Sequence, residues 1–275
     1  MSSLKGKNVL ITGGGDGIGL LTAEKLLEEG VNNIIIWDLN PENLASASKK
    51  LQNPSAKIIA QQVDVSNTEQ VIKMGRRLLA DIGAVNILIN NAGIIIGGPF
   101  SEITPEQIRR TIAVNLTAMM QVARTFLPAM KRQNSGHIVN IASAAGLTPN
   151  PNMSVYAASK WGVVGWSESL RIELEQQNTG IHITTAEPSY IDTGMFAGVT
   201  PPMLTPLLKP EKFVQRMLRA VKKNHIHLRT PFMVKLLPLL RGILPARLFD
   251  LVAGRWFGVY RSMDTFTGRN NTHYE

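Results

Sequence analysis

The stretch ITGGGDGIG, Ile11 to Gly19, places five glycines within nine residues. It follows the apolar run NVLIT (Asn8–Thr12) and precedes an amphipathic segment, Ile18–Glu29. Glycine raises the entropy cost of folding, so such a cluster marks a place where backbone must turn sharply or be approached closely. The setting is strand, tight turn, helix. Outward from it the same alternation continues. Apolar runs at Asn33–Asp38, Lys57–Val63, Val85–Asn90, His137–Ala142 and Ile181–Glu187 alternate with helical patterns at Pro41–Leu51, Thr68–Ile82, Pro105–Arg132 and Val155–Gln177. The runs are continuous in Val, Ile and Leu rather than alternating, as in strands covered on both faces. An α/β fold is expected: a Rossmann-like, doubly wound parallel sheet with right-handed crossovers, in a single domain. Residues 1–190 read as a dinucleotide-binding and catalytic core. Residues 191–275 read as a substrate loop and C-terminal extension of the same domain.

Composition narrows the function classes. Apolar residues make up 44% of the 275, enough for a full core. There is no cysteine, which excludes disulfides, thiol catalysis and a cysteine-based zinc site. No metal site is expected. The opening MSSLKGKNVLIT lacks the charged-then-apolar pattern of a signal peptide, and its apolar run is too short to span a bilayer. A cytoplasmic protein is expected, peripheral at most to a membrane. The net charge of +9 is concentrated between Lys209 and Arg261, where twelve Lys/Arg face only Glu211 and Asp250. These cations alternate with leucines rather than with stacking aromatics, so no nucleic-acid partner is expected.

In a strand–turn–helix setting the glycines permit close approach of a pyrophosphate to the amides of a helix N-terminus. Thr12, Gly13, Gly15, Gly17, Ile18 and Gly19 are the candidate contacts. The second run ends in Asp38, nineteen residues beyond Gly19, where a carboxylate can accept from an adenosine ribose or cap the helix after Pro41. Asp16 and Asp38 together would repel the 2′-phosphate of NADP, and position 39 is leucine rather than a compensating arginine. NAD is therefore expected over NADP. Asp16 also reads as a plain turn residue.

The spacing Thr12-Gly-x-x-x-Gly-x-Gly19 resembles the short-chain dehydrogenase/reductase family, and later motifs extend the resemblance along nearly the whole chain. They are NNAG (Asn90–Gly93), Asn115, Ser143, YAASK (Tyr156–Lys160) and PSYIDT (Pro188–Thr193). The resemblance implies an alcohol dehydrogenase or ketone reductase with Ser143, Tyr156, Lys160 and Asn115 as its catalytic set. Tyr156 and Lys160, four residues apart, share a helix face. A phenol titrates near ~10. A neighbouring ammonium is expected to lower that value, suiting Tyr156 to general acid/base work. Ser143 is placed to donate to the substrate oxygen. Asn115, by the resemblance, positions a water that relays protons from Lys160, though asparagine also satisfies backbone in distorted helices. The resemblance further implies that Asp64 and Val65 flank the adenine, and that Asn91, Ala92 and Gly93 lie along the cofactor. Tyr156, Lys160, Pro188, Ile191 and Thr193 would meet its nicotinamide end. One position departs from the pattern: Ser189 stands where the family usually has glycine.

Beyond Pro188 the short motifs DTGMFAG (Asp192–Gly198), LLKP (Leu207–Pro210), TPFM (Thr230–Met233), LP (Leu244–Pro245) and SMDTF (Ser262–Phe266) are similar to the membrane-associated retinol dehydrogenases and related 17-beta-hydroxysteroid dehydrogenases. This similarity implies a lipophilic alcohol or ketone substrate, retinoid- or steroid-like. The family resemblance implies a homodimer or homotetramer packed through the long helices. Segment 231–260 mixes Leu, Val, Phe and Trp with Lys235, Arg241, Arg247 and Arg255, and Pro238 and Pro245 are expected to break it into short helices. It reads first as a lid or a subunit contact, and also as a peripheral membrane-docking segment. Two other readings remain open: a broad carbonyl reductase of small ketones, and a non-catalytic nucleotide-binding protein at a membrane surface. The Ser143–Tyr156–Lys160 set argues against the last, since a sensor needs no tuned tyrosine.

Overall fold

The structure, a computed structural model, describes residues 3–53 and 55–268. Seven parallel strands form one sheet in the order β3-β2-β1-β4-β5-β6-β7. They are β1 (Asn8–Thr12), β2 (Asn33–Asp38), β3 (Lys57–Gln62), β4 (Ile87–Asn90), β5 (Gly136–Ile141), β6 (Ile181–Pro188) and β7 (His227–Thr230). Helices α1 (Gly17–Glu28), α2 (Pro41–Lys50) and α7 (Pro210–Lys222) cover one face, with Leu26, Leu44 and Phe213 in a core against Ile11, Ile36 and Ile89. Helices α3 (Thr68–Ile82), α5 (Ala118–Arg132) and α6 (Ser154–Gln176) cover the other, where Leu78, Phe126 and Leu174 pack on Leu10, Ile35 and Leu88. The central strands β1, β2 and β4 are almost wholly buried, which accounts for their unbroken apolar runs.

Strand order reverses between β1 and β4, so the crossovers diverge and leave a crevice at the carboxyl ends of these strands. Thr12 and Asn90 are register partners there, and Asn90 in turn pairs with Asn140 of β5. The glycine turn therefore faces the NNAG segment.

Four features differ from the sequence expectation. The seventh strand, HLRT, is polar and only half-buried along most of its length, so it carries no apolar signature. The stretch 105–132 is not one helix. Helix α4 (Pro105–Ile112) passes through a π-helical turn, Ala113–Thr117, into α5. Helix α7, an amphipathic segment beyond Pro188, belongs to the core layer on α1. In the C-terminal segment Pro238 sits inside α8 (Phe232–Ile243) without ending it, and Pro245 alone divides α8 from the short α9 (Ala246–Phe249). No helix among the described residues is long and apolar enough to cross a membrane.

Candidate active site

The glycine turn is built by hydrogen bonds to its neighbours. The N–H of Gly13 donates to the Trp37 carbonyl at 2.7 Å, and that of Gly15 to Asp38 Oδ2 at 2.9 Å. Asn91 Nδ2 donates across the crevice to the carbonyls of Thr12 (3.1 Å) and Gly13 (2.9 Å). Thr12 Oγ1 accepts from the N–H groups of Asn91 and Ala92, each at 3.1 Å. Asp16 caps α1, its Oδ1 accepting from Gly17 N–H at 2.7 Å, in an extended backbone conformation rather than a strained turn. The first helical bond runs from Leu20 N–H to Asp16 C=O, which leaves the amides of Ile18 and Gly19 directed out of the helix end. A Cβ on Gly19 would lie 2.1 Å from the Gly13 carbonyl oxygen, so only glycine allows the helix to sit this close to the turn. A close turn, exposed helix-end amides and a carboxylate at the end of β2 fit the phosphates and ribose of a dinucleotide.

Asp38 does not cap α2. That role falls to Asn40, whose side chain accepts from Glu42 and Asn43 N–H. Asp38 instead braces the turn, with Oδ1 accepting from Asn40 N–H at 3.0 Å. Asp64 folds into its own turn, its Oδ1 accepting from Ser66 N–H and Oγ, and Val65 is buried against the α3 side of the core.

The catalytic candidates converge at the open end of β5 and the start of α6. Ser143 follows β5, its Oγ accepts from Ala145 N–H at 3.1 Å, and it lies near enough to Tyr156 to favour the phenolate. Lys160 is 4% exposed, and its Nζ donates to the Ile141 carbonyl at 2.8 Å while lying 5.7 Å from the centroid of the Tyr156 ring. Asn115 sits in the π turn, fully buried. Its Oδ1 accepts from Ile94 N–H at 2.8 Å, and its Nδ2 donates to Ile94 C=O at 2.9 Å. A Cβ on Gly93 would lie 3.3 Å from Asn115 Oδ1 and 3.8 Å from Lys160 Nζ, so these three residues meet at one point. A π turn shifts helical hydrogen bonding by one residue and recurs at functional sites.

The electrostatics differ from the expectation in one respect. Burial pushes the Tyr156 phenol up to about 12, against the lowering effect of the Ser143 hydroxyl, and pushes the Lys160 ammonium down to about 8. Desolvation disfavours both charged forms, and the ammonium is turned onto the Ile141 carbonyl. The phenol is therefore held in its protonated form.

Pro188 ends β6, and Ser189 N–H donates to the Thr230 carbonyl at 2.8 Å. Ser189 has no positive φ, so its side chain meets no backbone restriction of the kind glycine relieves. Ile191 is buried and bridged to Leu208, and Thr193 N–H donates to the Ile191 carbonyl.

Ser143 and Tyr156 open into a pocket lined mainly by apolar side chains. The C-terminal segment supplies much of its wall, including Met233, Val234, Leu237, Leu240, Val252 and Phe257. The Arg241 guanidinium lies 3.9 Å from the centroid of the Trp161 ring on α6, which ties α8 to the catalytic helix. Tyr190, Thr148 and Asn150 also line the pocket. Tyr190 falls within the PSYIDT motif, whereas no motif or spacing in the sequence marks Thr148 or Asn150.

The family described as short chain dehydrogenase matches residues 7–203. Mouse (Mus musculus) epidermal retinol dehydrogenase 2 is 35% identical over 271 residues, covering 97% of this chain and 87% of the relative. Human (Homo sapiens) estradiol 17-beta-dehydrogenase 11 is 35% identical over 246 residues, covering 89% and 81%. A short chain dehydrogenase/reductase from Burkholderia phymatum, solved in complex with NAD, superposes with a TM-score of 0.78 at 27% identity, covering 93% of this chain and 97% of the other. A metagenomic short-chain oxidoreductase in complex with NADP gives 0.70 at 27% identity, covering 82% and 97%.

An unfolded lysine titrates near ~10.4. Folded Lys160, lowered to about 8, makes the unfolded chain the better proton binder between those values, so folding stability gains as pH rises through that window. Lys160→Met abolishes this gain. Urea unfolding of wild type and variant at pH 7.5 and 10 should show their stability difference shifting towards wild type by up to about 3 kcal/mol. Parallel pH dependences would contradict the buried charge.

Proposed function

Because this chain belongs to the short chain dehydrogenase family, a group of oxidoreductases that interconvert alcohols with ketones or aldehydes using NAD(P), we propose that Ser143, Tyr156 and Lys160 carry its chemistry on a lipophilic substrate. The observation that supports this reading is the opening of Ser143 and Tyr156 into an apolar pocket walled by the C-terminal segment. The cofactor, when bound, supplies or receives the hydride. Thr12 to Gly19, Asp38, Asp64, Val65 and Asn91 to Gly93 would hold it, with Pro188, Ile191 and Thr193 at its nicotinamide end.

In the reducing direction the substrate carbonyl oxygen accepts from Ser143 Oγ–H and Tyr156 O–H. The phenol, kept protonated by burial, gives its proton to that oxygen as carbon gains the hydride. Lys160, lowered to about 8, lies close enough to neutrality to exchange a proton and recharge the site. Asn115 holds the π turn to Ile94 beside Lys160 and so positions the relay. In the oxidising direction the same proton travels back, and the Ser143 hydrogen bond eases formation of the phenolate.

The substrate class follows from the shape and lining of the pocket and from similarity to relatives named for retinol and estradiol. Purified enzyme should oxidise retinol or estradiol with NAD at a kcat/KM at least about tenfold above cyclohexanol or 2,3-butanediol. Turnover confined to the small alcohols would leave the broad carbonyl-reductase reading. Tyr156→Phe should lower kcat by at least about a thousandfold while NADH binding, followed by fluorescence, stays near wild type. Retained turnover would overturn the assigned mechanism.

NAD is the proposed cofactor, since Asp16 and Asp38 both stand at the turn and Leu39 offers no cation. Asp38→Ala should narrow the ratio of kcat/KM for NAD over NADP by about tenfold or more, equivalent to about 1.4 kcal/mol. An unchanged ratio would show that Asp38 braces Gly15 and does no more.

The outer face of the lid also supports peripheral contact with an anionic bilayer. Phe232, Ile243 and Trp256 are 67%, 69% and 61% exposed, and Leu239 is exposed between them along α8. The Arg247 side chain is 99% exposed beside them. Apolar side chains rimmed by cations suit the headgroup boundary of such a membrane. The enzyme should co-sediment with phosphatidylserine-containing vesicles and not with phosphatidylcholine vesicles, and a Phe232→Ser/Ile243→Ser variant should lose this. Equal recovery of the variant would place the apolar face elsewhere.

A further inference from the structure

Among the described residues, seven buried side-chain polar atoms have no hydrogen-bond partner, and two of them belong to residues lining the same pocket. They are Thr148 Oγ1 and Asn150 Oδ1. Both sit on the loop between Ser143 and α6, two residues apart. Thr148 is 4% exposed, so its hydroxyl has no ready recourse to bulk water. An unpaired buried hydroxyl or amide oxygen costs about 1–3 kcal/mol. Two of them on residues that line one largely apolar pocket need a partner.

Neighbouring side chains do not provide one. Asn150 lies beside Tyr190, whose phenol is hydrogen-bonded to Ser262 Oγ at 2.7 Å. An amide oxygen accepts and cannot donate, so Asn150 Oδ1 needs a donor. The Thr148 hydroxyl both donates and accepts. A single hydroxyl on a ligand matches the pair: its hydrogen goes to Asn150 Oδ1, and its lone pair takes the Thr148 hydrogen.

We propose that Thr148 and Asn150 form a polar subsite for a second hydroxyl group on the substrate, apart from the oxygen at which Ser143 and Tyr156 act. The inference deepens the proposed function and rests on it: the favoured substrates are lipophilic diols and hydroxyketones, and singly oxygenated alcohols of the same skeleton bind less well. A site built to hydrogen-bond a hydroxyl rejects an analogue lacking it far more strongly than an apolar pocket rejects an extra methylene.

The test uses matched ligand pairs that differ by one hydroxyl, near or far from the reacting carbon. They are 2-decanol with 2,3-decanediol, and 5α-androstan-17β-ol with 5α-androstane-3β,17β-diol. Dissociation constants are measured by calorimetry on the enzyme with NAD, and turnover is followed separately. In at least one pair the diol should bind wild type about tenfold tighter or more. Thr148→Val should remove this preference, Thr148→Ser should keep it, and the Val variant should melt no lower than wild type because it loses an unpaired buried hydroxyl. Diol and mono-alcohol binding equally in both pairs would overturn the subsite. So would a preference that survives Thr148→Val, or a Val variant that melts markedly lower, since the hydroxyl would then have a structural partner. A diol preference in binding without turnover of any ligand would sustain the subsite and sink the proposed chemistry alone.

Discussion

The Lys160 ammonium donates to the Ile141 carbonyl inside a site almost closed to water, and the rest of the catalytic corner is arranged around the need to keep that charge there. The contact ties α6 to the end of β5, the strand from which Ser143 emerges. It therefore sets the distance between the serine and the tyrosine that stands one helical turn before the lysine. Asn115 approaches the same point only because the helix carrying it opens into a π turn. A regular helix through 105–132 would place its side chain elsewhere. The β1–β4 crevice is locked by a comparable economy of means: one amide, that of Asn91, bridges two carbonyls of the glycine turn.

The elements that bury both faces were legible in the sequence because burial leaves a compositional trace. Runs such as NIIIWD in β2 and ILIN in β4 admit no other reading at their length. HLRT in β7 was not legible, since an edge strand need only be half-buried, and alternation over four polar residues is too weak to register. The π turn left no trace either, because AVNLT fits a helical pattern whether or not one residue is looped out. Ser143, Tyr156 and Lys160 could be found from the family resemblance and the spacing that carries it, and the structure brings them together. What spacing could not give was the balance of forces on them. A lysine one turn away suggests a lowered phenol, but the depth of burial reverses the sign, and depth belongs to the tertiary fold. Thr148 and Asn150 lie in an irregular loop whose residue types are ordinary for loops, so only their surroundings distinguish them.

The C-terminal segment has an inner face and an outer face with different physical requirements. Inward, Val234 and Phe249 pack against the body of the molecule or its pocket. Outward, Phe232, Ile243 and Trp256 remain in contact with solvent, a larger apolar exposure than a helix needs simply to cover a cavity. The segment thus presents an apolar surface both to the pocket and to solvent.

Arg241 couples this segment to the reaction more directly than packing does. Its guanidinium lies on the ring of Trp161, the residue immediately after Lys160, and its Nη1 reaches the Leu147 carbonyl at 3.4 Å. One wall of the pocket is thus pinned to the helix that carries Tyr156 and Lys160 by a cation lying on a ring, so a change at either residue is felt on both sides of the cavity.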